Sequence, residues 1–198
     1  MGEMTWDLFR QQVELCGMCP LYQGILHKVP GHGDIHSPLM LIGEGPGQQE
    51  DEQGLPFVGA AGQLLTRMLW AIRLPRDRVY ICNAVKCRPP HNRTPLPEET
   101  NACKLHLRNQ FSLLKPRVVL LMGATAAKTV LGDEIRVTRD RGQWIERKGV
   151  WFLITYHPSA LLRDESKKKD AWADLQKLRD KLMELHLYDD IYREGFSE

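Results

Sequence analysis

Two groups of residues in this chain could do chemistry. The first is a set of thiols. Cys16 and Cys19 form a C-x2-C pair, and Cys87 and Cys103 lie far downstream with fifteen residues between them. Four thiolates suit tetrahedral zinc or a cubane iron–sulfur cluster, and spacing alone does not choose between them. Buried free thiols are the third reading. The fifth cysteine, Cys82, sits inside the apolar run VYIC and is read as core. An odd cysteine count without a secretory signal argues against a disulfide scaffold. Either metal would tie the N-terminal segment to a distant loop, as a staple with no open coordination position. The second group surrounds the polar stretch GEGPGQQED (Gly43–Asp51), which follows the apolar run LMLI and precedes GLPFVGAAGQLL. Glycine lets backbone approach a ligand closely, and Phe57 stands alone between Pro56 and Val58.

These residues need elements to hold them. LMLIG (Leu39–Gly43), VYICNAV (Val79–Val85), RVVLLMG (Arg117–Gly123) and VWFLITY (Val150–Tyr156) read as four strands, the last paired with a segment around Val137–Ile145. Helices are expected from Thr5 as a cap, over AAGQLLTRMLWAI, over PEETNACKLHLRNQFSLL with Pro97 in its first turn, over ATAAKTVL, and over AWADLQKLRDKLMELH. Strands alternating with helices predict an α/β fold: a three-layer α/β/α sandwich around a mainly parallel four-stranded sheet. In such sheets ligands bind beyond the carboxyl ends of the strands. Gly43–Gly47, Asn83–Cys87 and His157–Pro158–Ser159 all lie at those ends. One domain over 1–198 is expected, with 188–198 a loosely held tail.

The chain has 198 residues, 42% apolar and 26% charged, with a net charge of +2. That is ordinary globular composition. It neither demands nor excludes a nucleic-acid partner, since a local basic face could still bind phosphates. Arg73, Arg76, Arg78, Lys86, Arg88 and Arg93 cluster in sequence, as do Arg163 and Lys167–Lys169; a solvated face is the plain reading. Without a long apolar run or signal peptide, the expectation is a soluble cytoplasmic protein with no membrane partner.

The motifs GEGPGQQEDEQGLPFVGAAGQLL, NAVKCRPPHNRTP and HPSALLR, with C-x2-C near the start, resemble the family 4 uracil-DNA glycosylases, over roughly Cys16 to Arg163. The resemblance implies a monomeric prokaryotic enzyme that removes uracil from single- or double-stranded DNA. It also implies a [4Fe–4S] cluster on Cys16, Cys19, Cys87 and Cys103. A base inside a duplex must be turned out into a pocket before chemistry. On this reading Phe57 stacks on the base, and the Asn83 amide reads a carbonyl and the ring N–H. Gly43 and Gly45 admit backbone close to the other carbonyl, and Glu50 lines the pocket where the methyl of thymine would fall. His157 donates to the uracil oxygen as negative charge develops. Ser159 binds a phosphate, Leu161 or Leu162 fills the gap left in the stack, and Arg163 holds the backbone.

Some superfamily members carry an Asp in the first motif that positions water; here that place is Gly45. Glu44 is therefore the candidate for positioning water, with Glu50, Asp51 and Asn92 behind it. The expected reaction is dissociative, with little activation of water. Two other readings stand beside it. One is a non-catalytic, metal-stapled DNA-binding module. The other is a relative that captures uracil covalently through a His in a basic loop, for which His91 is present but the long loop is not. A mononucleotide site fails on pattern, because GEGPGQ is neither G-x-G-x-x-G nor a P-loop.

Overall fold

The computed structural model describes residues 4–191. The uninterrupted apolar runs become strands buried on both faces. These are β2 (Leu39–Gly43), β3 (Tyr80–Asn83), β4 (Val118–Met122) and β6 (Val150–Thr155), all mutually parallel where they pair. The sheet is six-stranded, in the order β1-β3-β2-β4-β6-β5, not four-stranded. The added strands are antiparallel edges, β1 (His32–Gly33) and β5 (Trp144–Arg147). The two-residue β1 is too short to show a pattern, and its Gly33, at φ +123°, would put a Cβ 1.9 Å from the Val79 carbonyl oxygen. The segment expected to pair across Val137–Ile145 is split, with a helical turn at Val137–Asp140 and pairing only from Trp144.

Alternation along the strands makes two cores. Leu39, Leu41, Ile81, Leu120 and Leu153 face one layer; Met40, Ile42, Cys82, Leu121 and Ile154 face the other. Helices α3 (Ala60–Ala71), α7 (Pro158–Arg163), α8 (Lys168–Glu184) and α9 (Tyr188–Ile191) cover the first face. Helices α1 (Trp6–Glu14), α4 (Pro97–Leu114) and α5 (Ala124–Leu131) cover the second. Two short helices, α2 (Gln48–Gln53) and α6 (Val137–Asp140), lie in the loops. Thr5 caps α1 through its Oγ1, 3.2 Å from the Leu8 amide, and Pro97 opens α4.

The start of the tail is docked rather than loose. Tyr188 and Ile191 are buried, and the Tyr188 hydroxyl donates to the Ile72 carbonyl at 2.9 Å. The rest of the expected tail, 192–198, lies outside the described residues. Among the described residues no helix is long and apolar enough to cross a membrane.

The chain enters the parallel sheet at β2, adds β3 on one side, then crosses to β4 on the other. The loops after β2 and β4 therefore diverge, and a crevice opens between them.

Candidate active site

That crevice is a pocket of about 500 Å³, lined by Glu44, Gly45, Glu50, Phe57, Asn83 and His157 among others. The three loops expected to converge do so. Gly43 ends β2 opposite Asn83 at the end of β3. A Cβ at Gly43 would fall 2.4 Å from the Phe57 ring and 2.5 Å from Asn83 Oδ1, so only glycine lets these two side chains meet there. The Phe57 and His157 rings lie 5.5 Å apart at 32°. Gly45 is similarly close-packed, its absent Cβ 2.8 Å from Val85.

Phe57 is held in a left-handed conformation, φ +54°, which costs energy in a residue with a Cβ. The surroundings fix it there. Glu50 Oε1 accepts from the Val58 and Gly59 amides, each at 2.8 Å, while Oε2 accepts from Gly47 at 3.1 Å. Arg76 donates to the Pro56 carbonyl at 2.6 Å. The loop then crosses α3 so closely that a Cβ on Gly62 would meet the Phe57 carbonyl oxygen at 1.8 Å. Glu50 lines the pocket as expected, but both its oxygens serve the loop that carries the ring.

Asn83 is 1% exposed, and its Oδ1 has no hydrogen-bond partner. A buried acceptor left bare costs free energy unless a ligand completes it. Opposite it, His157 caps α7: the Ser159 amide donates to Nδ1 at 3.2 Å, and the Ser159 hydroxyl lies 2.8 Å from the same nitrogen. Burial, reinforced by the Arg163 charge and opposed by Glu50, lowers the His157 pKa to about 4. The ring is thus neutral near pH 7, with Nδ1 accepting and the proton on Nε2.

Glu44 lines the pocket, and its Oε2 accepts from Thr125 at the head of α5, tying together the two diverging loops. Asp51 is not among the residues lining the pocket. It is 3% exposed, and its Oδ1 accepts from the Leu26 and His27 amides. Asn92 lines the pocket but accepts from Arg88 at 2.7 Å. His91 is exposed, with φ +54°.

The expected DNA-contacting residues divide. Leu161 is 2% exposed and packs in the core, so it cannot enter a base stack; Leu162 is 45% exposed. Their positions on α7 put one inward and its neighbour outward. Arg163 is exposed at the pocket rim. The Ser159 hydroxyl is already engaged with His157. The run of basic residues from Arg73 to Arg93 does not form one face: Arg76 braces the Phe57 loop, Arg93 pairs with Glu99 at 2.6 Å, and Lys86 is buried. Sequence reasoning missed Thr125 and Gly123. Gly123 closes the run RVVLLMG and Thr125 lies two residues beyond it, and that run repeats the apolar-run-then-glycine pattern of LMLIG.

Away from the rim, Cys16, Cys19, Cys87 and Cys103 line a single apolar cavity. Among the described residues no three His, Cys, Asp or Glu side chains close around one metal ion. Burial pushes the Cys87 thiol up to about 12, neighbouring Cys103 and Cys19 push the same way, and Lys28 opposes them. Burial also raises Cys103, with Lys86 opposing it. Two more residues of the cavity carry buried polar groups. His106 is 3% exposed with neither ring nitrogen partnered, and Lys86 is 2% exposed. Four sulfurs, an unpaired imidazole and a buried ammonium fit a thiolate-held, negatively charged centre. Cys82 lies on β3 in the sheet core, as expected.

Comparison with known proteins agrees with this geometry. Residues 30–176 match the Uracil DNA glycosylase superfamily. A "Type-4 uracil-DNA glycosylase" of Thermotoga maritima is 42% identical over 168 residues, covering 83% of this chain and 86% of the relative. A protein of the same description from Pyrobaculum aerophilum is 41% identical, covering 87% and 92%, and one from Archaeoglobus fulgidus is 37% identical, covering 87% and 90%. With the pocket at the switch point of the sheet and the similarity spanning nearly all of both chains, this protein belongs to the uracil-DNA glycosylase superfamily and, within it, to the type-4 family.

Proposed function

We propose that the protein is a monofunctional uracil-DNA glycosylase. It turns uracil out of DNA and hydrolyses the N-glycosidic bond, leaving an abasic site. The observation that carries this reading is the unpartnered Asn83 Oδ1 facing the same pocket as the Phe57 ring and the neutral His157. A uracil stacked on Phe57 presents its ring N–H to that oxygen and a carbonyl to the Asn83 amide N–H. Cytosine presents the reverse pattern, a mismatch worth about 1–3 kcal/mol. Stacking contributes about the same per base.

Bond breaking puts negative charge on the departing base and cationic character on the sugar. His157 Nε2–H then donates to the uracil oxygen on which charge accumulates. The ring is already neutral, so it strengthens a hydrogen bond without moving a proton. Water completes the reaction at the sugar, with Glu44 positioning it while Thr125 holds the carboxylate. Leu162 occupies the space the base leaves, and Arg163 meets a phosphate.

Cys16, Cys19, Cys87 and Cys103 hold a [4Fe–4S] cluster on this reading. Bound there, it supplies a cross-tie between the N-terminal segment and the loop after β3, and takes no part in breaking the bond. The four sulfurs around one cavity and the cationic and imidazole groups beside them support that assignment. The enzyme works as a monomer on single- or double-stranded DNA. Exposure of His91 outside the pocket speaks against covalent capture.

The test is an oligonucleotide with a single uracil, incubated with the protein and then treated with alkali. Scission at that position, absent with thymine and without a shifted band on a denaturing gel, is the expected result. An intact strand overturns the reading.

A further inference from the structure

Lys86 joins the two sites just described. It is one of the largest fully buried side chains among the described residues. Its Nζ donates to the backbone carbonyl of Asn83 at 2.6 Å, so it grips the residue that reads the base. Among the described residues no carboxylate forms an ion pair with it. A buried ammonium costs several kcal/mol unless opposite charge lies close by. Among the described residues the groups that meet its ammonium besides that carbonyl are sulfurs: the buried Cys82 thiol accepts from it, and Lys86 lines the cavity of the four cysteines, where its charge acts on Cys103. Its own carbonyl accepts from Val29 at 2.8 Å, which pins the segment following the C-x2-C pair to the same strand end.

We propose that Lys86 couples the cysteine centre to base recognition: its ammonium is the counter-charge of the anionic cluster, and the same ammonium fixes the Asn83 carbonyl and hence the amide that reads uracil. This rests on the iron–sulfur glycosylase reading. It gives the cluster a second task beyond tying loops together. With the cluster in place, the ammonium is held by charge on one side and stays aligned on the Asn83 carbonyl on the other. Lys86 is a positioning residue; it touches neither the base nor the reacting atoms.

The experiment compares Lys86→Met holoprotein with the wild type. Iron and sulfide per chain confirm loading. Three quantities are then read: the cluster's midpoint potential, the inhibition constant of free uracil, and affinity for uracil-free DNA. Removing a positive charge beside the cluster disfavours its reduced form, so the potential moves negative, about tenfold in the redox equilibrium or about 59 mV for one electron. Free uracil inhibits about tenfold more weakly, as expected for loss of a charged hydrogen bond behind the reader. Affinity for uracil-free DNA is unchanged. Lys86→Arg, which keeps the charge but alters the grip, restores the potential more fully than the uracil constant. Unchanged potential and unchanged uracil inhibition in Lys86→Met overturn the proposal.

If Lys86→Met does not fold, the wild type still decides, because coupling is reciprocal. Saturating free uracil must shift the midpoint potential of wild-type holoprotein, and no shift overturns the proposal. Failure of the parent reading looks different: the wild type then lacks iron or leaves the uracil-containing strand intact.

Discussion

The base pocket and the cysteine cavity are built by opposite means. The pocket is finished by the polypeptide itself. Glu50 spends both oxygens on three backbone amides, Arg76 braces the Phe57 loop, Thr125 holds Glu44, and Ser159 sets the His157 tautomer. Among the described residues of the pocket one buried side-chain acceptor, Asn83 Oδ1, is left without a partner. In the cavity the unfinished groups are the scaffold's own: four thiols, an imidazole with two unpartnered nitrogens, and a lysine without a carboxylate. A preorganised reaction site lowers the barrier because its dipoles do not have to rearrange. A structural centre can instead be completed by its guest, so that binding free energy becomes folding free energy.

If that contrast holds, damage to the cavity appears as instability and damage to the pocket as lost rate. The largest effect is expected from Cys87→Ala. The protein loses the visible absorption of the cluster, and at about 2–4 °C per kcal/mol for a chain of this size Tm falls by roughly 10 °C or more. Calorimetry and an absorption spectrum check it; a stable, still-coloured variant breaks the comparison. Next, His157→Ala slows single-turnover cleavage about a hundredfold, near 3 kcal/mol, while removing a helix cap costs only about 1 kcal/mol of stability. A rapid-quench time course beside a melting curve separates the two.

Neighbouring leucines on α7 sharpen the contrast further. Leu161→Ala loses about 2–5 kcal/mol of stability by opening a core cavity, whereas Leu162→Ala melts like wild type and releases uracil from duplex DNA several-fold more slowly. Glu44→Gln has a smaller effect, less than about tenfold in cleavage, because water meets an already cationic sugar. A loss matching that of His157→Ala would instead make Glu44 a true base. The smallest effect lies in pH dependence. Folded His157 refuses a proton down to about pH 4, while the unfolded side chain accepts one near 6.5. Its contribution to stability is therefore present above 6.5 and lost as pH falls towards 4. A His157→Asn variant should show a shallower decline of Tm over that window.

The sequence made some of this legible and hid the rest for physical reasons. Strands buried on both faces announce themselves as unbroken apolar runs, so β2, β3, β4 and β6 could be read directly. The edges could not: β1 has two residues, and β5 carries exposed Glu146 and Arg147. The acidic segment from Tyr188 reads as loosely held, yet Tyr188 and Ile191 are buried in the core, with Leu185 and Leu187 packed beside them. Phe57, Asn83 and His157 could be singled out because each stands in an unusual motif, Asn83 and His157 at strand ends and Phe57 in the loop before α3. The loop-bracing task of Glu50 and the burial of Asp51 went unread because a carboxylate that caps backbone looks, in sequence, like one that faces water. Lys86 hid among arginines whose clustering is only sequential. Leu161 and Leu162 cannot be told apart without knowing how α7 is rotated.

One consequence follows from the crevice between β2 and β4, where Glu44 meets Thr125. Its two walls come from halves of the chain made at different times. A nascent polypeptide that has emerged only as far as Val118 owns the aromatic ring and the amide, but neither the threonine that steadies the carboxylate nor the imidazole. On the roles proposed for these groups, such a half-made chain is inert towards the genome, and competence to excise a base arrives only once translation has passed His157.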